Sequence, residues 1–308
     1  MKKYSNLIIV LITFFILILI LFNKNLVSTT ITSSFYIWFN TLVPSMLPMF
    51  ILSDILINYN FIEYIPKRIT NFIRKLFNIS NNSVLILFIS CISGFPGNAS
   101  ALKEAYDLNL ISKEEVEHLL LFNHFPNPLF VLQTVGVFYL KDNLLGIIIL
   151  VSIFTSNIII GIIYRRKNHP TKVNYITNIN KSQSFMNVFS NSIKKSINTL
   201  LMISGTVTSF LIISTLICHI LNFEDIIAMF IKGILEMTMG LSLLSYLDIS
   251  SFIKLIIATL FISFGGISIH LQIISILEDI SYFKYLKGRI LGSIIACFVS
   301  VIFFIIFF

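Results

Sequence analysis

The chain has 308 residues, of which 56% are hydrophobic and only 12% are charged, and this balance excludes an ordinary soluble domain. Its formal net charge of +8 does not indicate nucleic-acid binding, because the basic residues fall in short loops between apolar runs and form no continuous stripe. The composition therefore predicts an all-α polytopic membrane protein. Each cysteine lies in a separate apolar run, which predicts buried free thiols and excludes a disulfide framework: Cys91, Cys218 and Cys297.

The first apolar run, residues 7–22, follows Lys2 and Lys3 and has no small-residue cleavage site after it. Residues 1–30 are therefore predicted to hold an uncleaved signal-anchor helix, with a cleaved signal peptide as the alternative. A membrane span needs about 20 apolar residues, and several of the later runs reach that length. These runs cover residues 31–57, 84–92, 116–140, 144–164, 197–221, 226–247, 252–277 and 290–308.

Loop charges predict the topology, because basic residues concentrate on the cytoplasmic side of membrane proteins. With a cytoplasmic N-terminus, run 7–22 leaves the cytoplasm and run 31–57 returns to it. The four bases of the next loop and the basic connector, residues 165–195, are then both inside. The connector also divides the chain into two halves, residues 31–164 and 196–308.

Three apolar runs lie between these two cytoplasmic segments, so one of them must enter and leave by the same face. The short run 84–92 is the candidate, because the arm that follows it, residues 99–122, holds seven charges within 15 positions. Each charge costs about 2.5–3.5 kcal/mol at the bilayer midplane on insertion scales. The sequence therefore predicts a re-entrant hairpin that turns at residues 93–98.

Two glycine-containing breaks, residues 93–98 and 263–268, interrupt apolar segments and lie in different halves. Backbone that leaves the helix at membrane depth is tolerated where it is buried in protein or lines a wet cavity. A matched pair of such breaks is typical of a transporter substrate site between two inverted repeats, with tight helix packing at the glycines as the alternative. The matched positions are 169 residues apart, and other features repeat at the same offset.

This symmetry has one conflict, which concerns the end of the chain. Three bases would fall on the outer face: Lys284, Lys287 and Arg289. The topology of residues 223–308 is therefore left open.

Candidate ligand-binding residues cluster at and after the two breaks. A helix that starts just after a break presents unpaired N–H groups and a partial positive charge, which suit an anion without a buried lysine or arginine. Polar side chains and prolines nearby complete the set. The predicted substrate-binding residues are Gly94, Pro96, Gly97, Asn98, Ser100, Asn123, Asn127, Gly265, Gly266, Ser268, His270 and Gln272.

Several of these residues have a second interpretation. His270 is either a proton-coupling group, since histidine titrates near physiological pH, or a satisfied interhelical hydrogen-bond partner. Glu236, embedded in an apolar run, is a candidate coupling or gating carboxylate, with a place at a helix interface as the alternative. The prolines around Asn127 equally predict a structural bend. No motif for nucleophilic, metal or phosphate chemistry appears, so we expect no enzyme activity, cofactor or metal.

Five short motifs occur in an order that resembles one known family. They are Ser-Gly-Phe-Pro at 93–96, Ile-Ser-Lys-Glu-Glu-Val-Glu at 111–117, Pro-Leu-Phe at 128–130, Leu-Glu-Met-Thr at 235–238 and Ser-Phe-Gly-Gly-Ile-Ser-Ile-His-Leu-Gln at 263–272. On these residues the chain, between positions 33 and 290, resembles the YlbJ-like sporulation integral membrane proteins, which carry the nucleoside-recognition gate domain. The last motif is the most specific of the five.

The resemblance implies a fold related to concentrative nucleoside transporters, with two inverted gate-type repeats and re-entrant helical hairpins. The repeats would be residues 31–164 and 196–308, joined by the cytoplasmic connector 165–195. It also implies a mother-cell protein in the outer forespore membrane that passes dipicolinic acid, a small planar aromatic dianion, towards the forespore. The implied partners are this anion and the lipid bilayer, and a homo-oligomer is compatible with the family.

The chain departs from the family pattern in the first hairpin and keeps it in the second, at residues 263–272. Asn98 stands where the family has glycine, and Ser100 stands where it has a base. Lys103, one turn further on, is predicted to supply the missing charge and is a second candidate for coupling or gating. His124 and the next residue replace a pair of asparagines. Two alternatives to dipicolinate transport are a membrane assembly factor for spore maturation and a gate-type transporter of a nucleoside-like solute.

Overall fold

The computed structural model describes residues 2–59, 61–166 and 184–308, without the side chains of residues 2–5 and 62. All of the described secondary structure is helical. Among the described residues, five helical segments are long and apolar enough to cross a membrane: Lys24–Asn58, Asn143–Ile163, Phe185–Ile220, Ser251–Ile276 and Tyr282–Phe307. The prediction of an all-α polytopic membrane protein is confirmed. Most of the predicted connector lies outside the described residues.

The helices are numbered in chain order on either side of the gap between described residues 166 and 184. Before the gap they are α1 (Lys2–Phe22), α2 (Lys24–Ile37), α3 (Val43–Asn58), α4 (Lys67–Phe77), α5 (Asn81–Ser93), α6 (Gly97–Asp107), α7 (Lys113–Leu119) and α8 (Asn143–Ile163), with π-helical turns at Trp38–Leu42 and Phe130–Tyr139 and a 3-10 turn at Phe61–Tyr64. After it they are α9 (Phe185–Ile220), α10 (Asp225–Leu235), α11 (Met237–Tyr246), α12 (Ser251–Phe264), α13 (Gly266–Ile276) and α14 (Tyr282–Phe307).

Helices α1 and α2 do not form the antiparallel pair that the sequence predicted. Asn23 alone separates them, and its backbone takes part in helical hydrogen bonds on both sides. The Asn23 amide donates to the Leu19 carbonyl at 3.0 Å, and the Val27 amide donates to the Asn23 carbonyl at 3.0 Å. A single residue bonded in this way bends the chain without reversing it, so run 7–22 does not lead into a return at residue 31. The signal-anchor role of residues 1–30 stays a prediction.

Helices α5 and α6 form a helical hairpin whose turn is the first break. The two helices pack against each other, and three residues separate Ser93 from Gly97. Their outer ends also meet, because Asn82 Nδ2 donates to the carbonyl of Leu110, just after α6, at 2.8 Å. The hairpin predicted from the short apolar run and the charged arm is therefore present.

The second break does not turn the chain back, and the hairpin expected there is absent. Helices α12 and α13 together form one candidate span, Ser251–Ile276, interrupted at Gly265. The hairpin of this half is made by α10 and α11, which pack against each other and are joined by Glu236 alone. The sequence marked the break correctly, but Gly265 (φ +90°) and Gly266 (φ +70°) permit several chain directions, and packing selects one.

One end of the molecule carries cross-helix ion pairs around α7, and we call it the basic end. Arg166, just after α8, lies 4.0 Å from the Glu115 carboxylate, and Lys284 in α14 lies 2.5 Å from the Glu117 carboxylate. The end of α8 and the start of α14 are therefore on the same side. This corrects the symmetry at an offset of 169 residues, which placed Lys284 on the outer face.

Candidate substrate site

The unwound segment between α7 and the second π-helix, residues 123–127, docks onto the first break. Asn98 Nδ2 donates to the Asn123 carbonyl at 2.5 Å, and Asn127 Nδ2 donates to the Ser93 carbonyl at 3.1 Å. Two of the predicted ligand residues thus satisfy backbone groups that the breaks leave without helical partners. The buried side-chain amide of Asn123, in contrast, finds no hydrogen-bond partner among the described residues, and it stays a candidate for ligand contact.

Gly94 is required for this docking. Its backbone has φ +73°, and a Cβ atom there would lie 2.2 Å from the Asn127 nitrogen. The next residue, Phe95, donates its amide to the Phe125 carbonyl at 3.0 Å. Any side chain at position 94 would push the unwound segment off the hairpin tip, so Gly94 acts through structure.

His124 lies between the two breaks, and sequence reasoning gave it no role. Its ring stacks on Phe95 of the first break, with 4.3 Å between ring centroids. Its Nε2 atom would be 3.0 Å from a Cβ placed on Gly265 of the second break. The other nitrogen, Nδ1, is 3.1 Å from the Tyr285 hydroxyl. His124 therefore connects the hairpin tip, the broken span and α14.

His270 is held by two hydrogen bonds. Its Nε2 lies 2.9 Å from the Phe264 carbonyl, which can only accept, so this nitrogen carries the proton in the neutral ring. Nδ1 then accepts from the Tyr282 hydroxyl at 2.9 Å. His270 thus satisfies the carbonyl at the end of α12 that the break leaves free. This arrangement favours the interhelical hydrogen-bonding interpretation over a coupling role.

Arg289 is a fully buried cation in α14, and its place in the sequence predicted no role at the site. Its guanidinium donates to the Ser263 carbonyl at 3.3 Å and to the Leu121 carbonyl at 3.2 Å. Ser263 precedes the second break and Leu121 precedes the unwound segment. Arg289 therefore stabilises the backbone next to both non-helical stretches.

Glu236 forms the turn of the second hairpin and is 1% exposed. Its carboxylate accepts the Met239 amide at 2.9 Å and the Thr238 hydroxyl at 2.5 Å, which caps the start of α11. The second break packs against this turn, since a Cβ on Gly266 would lie 3.1 Å from the Met237 nitrogen. The carboxylate is therefore placed where the second hairpin meets the broken span.

A small cavity of about 20 Å³ lies where these parts meet, and we call it the central cavity. Its lining comes from both hairpin turns, from the first π-helical turn and from α3, α9, α11 and α13: Leu42, Met46, Phe95, Pro96, Ile203, Val207, Glu236, Met237, Thr238, Ser268, Ile269 and Gln272. The buried Ser268 Oγ and Gln272 Oε1 have no hydrogen-bond partner among the described residues. The cavity thus brings together Pro96, Ser268 and Gln272 of the predicted binding set.

Other predicted residues lie elsewhere. Gly97 and Ser100 line a second small cavity of about 40 Å³, which we call the charged cavity because Asp54, Glu104 and Lys195 also line it. Lys103 forms an ion pair with Asp107 on the exposed face of α6 and is not among the residues that line either cavity.

Two charged residues of this region were missed from the sequence. Asp54 is 7% exposed and Arg289 is 0% exposed, and each is embedded in a long candidate span. An ionisable residue inside an apolar run was the available signal for Asp54.

Comparison with known proteins supports the resemblance. The chain is similar to the sporulation integral membrane protein YlbJ of Bacillus subtilis (strain 168), with 25% identity over 298 residues. The similarity covers 84% of this chain and 73% of that protein, so it includes parts of both halves. No family model matches the chain, and no solved structure matches it.

Proposed function

This chain is a YlbJ-like integral membrane protein, and from this premise we propose that it serves sporulation as a transporter of a small organic anion. The proposed substrate is dipicolinic acid, and the proposed location is the outer forespore membrane. The observation that carries the proposal is the central cavity, in which Ser268 Oγ and Gln272 Oε1 are buried without a hydrogen-bond partner among the described residues. Unpaired buried polar atoms cost free energy unless a ligand or water satisfies them.

The lining of the central cavity has the chemistry that a flat aromatic anion requires. Leu42, Met46 and Ile203 supply apolar surface for a ring. Helix α13 begins at Gly266, two residues before Ser268, so its first-turn amides and partial positive charge lie near the cavity. The start of α6, after Pro96, is adjacent. These features support binding of carboxylate groups without a lysine or arginine in the cavity lining.

The order of the elements supports an arrangement in two repeats with a shorter offset than the sequence suggested. The first hairpin turns at Phe95 and the second turns 141 positions later, at Glu236. Helix α8 begins at Asn143 and α14 begins 139 positions later, at Tyr282. In this pairing the unwound segment 123–127 corresponds to the break at Gly265. Each half then holds a long helix, a hairpin, a broken span and a final span.

The directions of these elements support inverted repeats. The final span of the first half, α8, ends at the basic end, where Arg166 lies near Glu115 of α7. The final span of the second half, α14, starts at the same end, where Lys284 contacts Glu117. Corresponding elements therefore run in opposite directions. Two repeats of this kind around a central site are typical of secondary transporters, and this relation to nucleoside-transporter folds is part of the proposal.

Glu236 is the proposed coupling group, because its buried carboxylate lines the cavity that would receive an anion. Two like charges about 5 Å apart repel by roughly 3 kcal/mol at an effective dielectric constant of about 20. A proton on Glu236 removes this repulsion, so proton and anion would enter together. An inward proton gradient should therefore accelerate uptake by the wild type, and Glu236→Gln should abolish that acceleration.

Uptake of dipicolinate into proteoliposomes tests the proposal. We expect saturable uptake by the wild type and a KM raised about tenfold in Ser268→Ala, since one hydrogen bond to a charged group contributes about 1.5–3 kcal/mol. The matched control is Ser275→Ala in the same helix, whose exposed hydroxyl bonds only the backbone of α13 at Gln272. This control should leave uptake unchanged.

The alternatives make different predictions in the same assay. If uridine inhibits the uptake more strongly than carboxylate analogues of dipicolinate do, the result would favour a nucleoside-like solute. An absence of uptake by folded protein, with and without a proton gradient, would reject transport and favour a role in spore assembly.

A further inference from the structure

Lys195 connects three helices at the basic end. It belongs to α9, and its Nζ atom lies 2.7 Å from Asp54 Oδ1 in α3 and 3.2 Å from Glu104 Oε2 in α6. We call this arrangement the Lys195 bridge. Because α6 is the second arm of the first hairpin, the bridge ties that hairpin to a long helix from each half of the chain.

The Lys195 bridge lies in the wall of the charged cavity. This cavity extends from Lys195 and Glu104 to Ser93 and Gly97 at the turn of the first hairpin. Pro96, the neighbour of Gly97, lines the central cavity. The turn of the first hairpin therefore forms the partition between the charged cavity and the proposed substrate site.

The two carboxylates of the bridge are held differently. Asp54 is 7% exposed, and its second oxygen accepts hydrogen bonds from Ser192 Oγ at 2.7 Å and Asn58 Nδ2 at 3.2 Å. The Glu104 side chain is 49% exposed, and an ion pair in such a setting contributes about 0–1 kcal/mol. Glu104 is therefore the partner of Lys195 that an incoming anion displaces at low cost.

We infer that the Lys195 bridge is a carboxylate-exchange site at the entrance from the basic end. A carboxylate of the entering anion replaces Glu104 on Lys195, and α6 is released from α9. Exchange is favoured over addition, because two carboxylates already surround one ammonium group and a third would be repelled. The inference rests on the proposed function, which supplies an anionic substrate.

Protection of an introduced cysteine measures this exchange without measuring transport. Cys91, Cys218 and Cys297 are replaced by serine, and Ser100→Cys places one thiol in the charged cavity. Purified protein in detergent is labelled with a maleimide at increasing concentrations of dipicolinate. The neutral diamide of the same ring is the control ligand, and it should not protect the thiol.

Two substitutions should shift protection in opposite directions. Lys195→Met removes the ammonium group and should raise the half-protecting concentration about tenfold, as expected for the loss of a charge-assisted hydrogen bond. Glu104→Gln removes the competing carboxylate and should lower that concentration, and it should also accelerate labelling without ligand. The matched controls are Lys194→Met in α9 and Asp107→Asn in α6, which should change neither quantity.

The outcomes separate this inference from the proposed function. If Lys195→Met and Glu104→Gln shift the half-protecting concentration in opposite directions but the protein shows no uptake in proteoliposomes, the exchange site is supported and transport is rejected. Shifts of Glu104→Gln and Lys195→Met in the same direction, or shifts no larger than in the controls, would overturn the exchange site even if uptake is observed. If Lys195→Met does not fold, the sign of the Glu104→Gln shift decides.

Discussion

Arg289 places a guanidinium group in the interior of a membrane-spanning helix, and its described hydrogen-bond acceptors are carbonyl and amide oxygens. The carbonyls of Ser263 and Leu121 lie 3.3 and 3.2 Å away, and the Asn157 side-chain oxygen lies 3.5 Å away. Ser263 lies at the start of the second break, and Leu121 lies just before the unwound segment. The arginine therefore contributes to the fold by satisfying backbone groups that regular helices would satisfy internally.

Arg289→Gln should destabilise the protein by about 2 kcal/mol or more, because at least one buried carbonyl loses its donor. Thermal unfolding in detergent measures the effect. The control is Lys287→Gln in the same helix, where the exposed ammonium group lies 4.6 Å from the Tyr164 ring centre and contributes about 1 kcal/mol or less. Equal stabilities of the two variants would contradict a bracing role for Arg289.

At the scale of elements, the first hairpin depends on a close contact between its turn and the unwound segment. The turn presents Gly94 with φ +73°, and Asn127 lies directly over it. Asn98 and Asn127 then bond carbonyls of Asn123 and Ser93 across the contact. The hairpin and the broken span of the first half thus form one packed unit.

Gly94→Ala should therefore destabilise this unit strongly, by about 3 kcal/mol or more, because it combines a steric clash with an unfavourable φ. A matched control is Gly205→Ala in α9, where an added Cβ meets no atom within 4 Å. That substitution should leave stability unchanged or raise it by up to about 1 kcal/mol, from helix propensity. Thermal unfolding of both variants in detergent checks the contrast, and similar losses in the two would reject it.

At the scale of the whole molecule, contacts at the basic end indicate the direction in which each span of the second half runs. Helix α9 starts at the basic end, with Lys195 close to Asp54, and its 36 residues are enough to reach the other side. The span Ser251–Ile276 then returns, and α14 starts at the basic end beside Glu117. We therefore expect the turn after α11 and the turn before α14 to lie on opposite faces of the membrane.

Cysteine labelling with a membrane-impermeant reagent tests this topology. In a background without the three native cysteines, Tyr246→Cys and Phe283→Cys introduce thiols at positions that are 84% and 79% exposed. We expect each thiol to react from one side of sealed vesicles only, and the two sides to differ. The Phe283→Cys side should be the cytoplasmic side, because the basic end carries the loop cations. Reaction of both thiols from the same side would refute the crossing by α12 and α13.

Much of the candidate site was visible in the sequence, but its assembly was not. Pro96, Ser268 and Gln272 were predicted as ligand residues and line one cavity. Gly97 and Ser100, from the same motif as Pro96, line a different cavity. One turn of backbone separates opposite sides of the hairpin tip, and no local pattern distinguishes them.

The sequence by itself determined the helical membrane class, most of the spans and the positions of both glycine breaks. These are local properties, set by the length of apolar runs and by residues that disfavour helix. Only the tertiary structure decided that the chain turns back at Glu236 and continues through Gly265. It also decided that Arg289 bonds carbonyls beside both the second break and the unwound segment, and that Asp54 meets Lys195. These outcomes depend on packing between different elements, where the free energy of contact outweighs local conformational preference. The contacts of Arg289 with Leu121 and of Lys195 with Asp54 join residues more than a hundred positions apart.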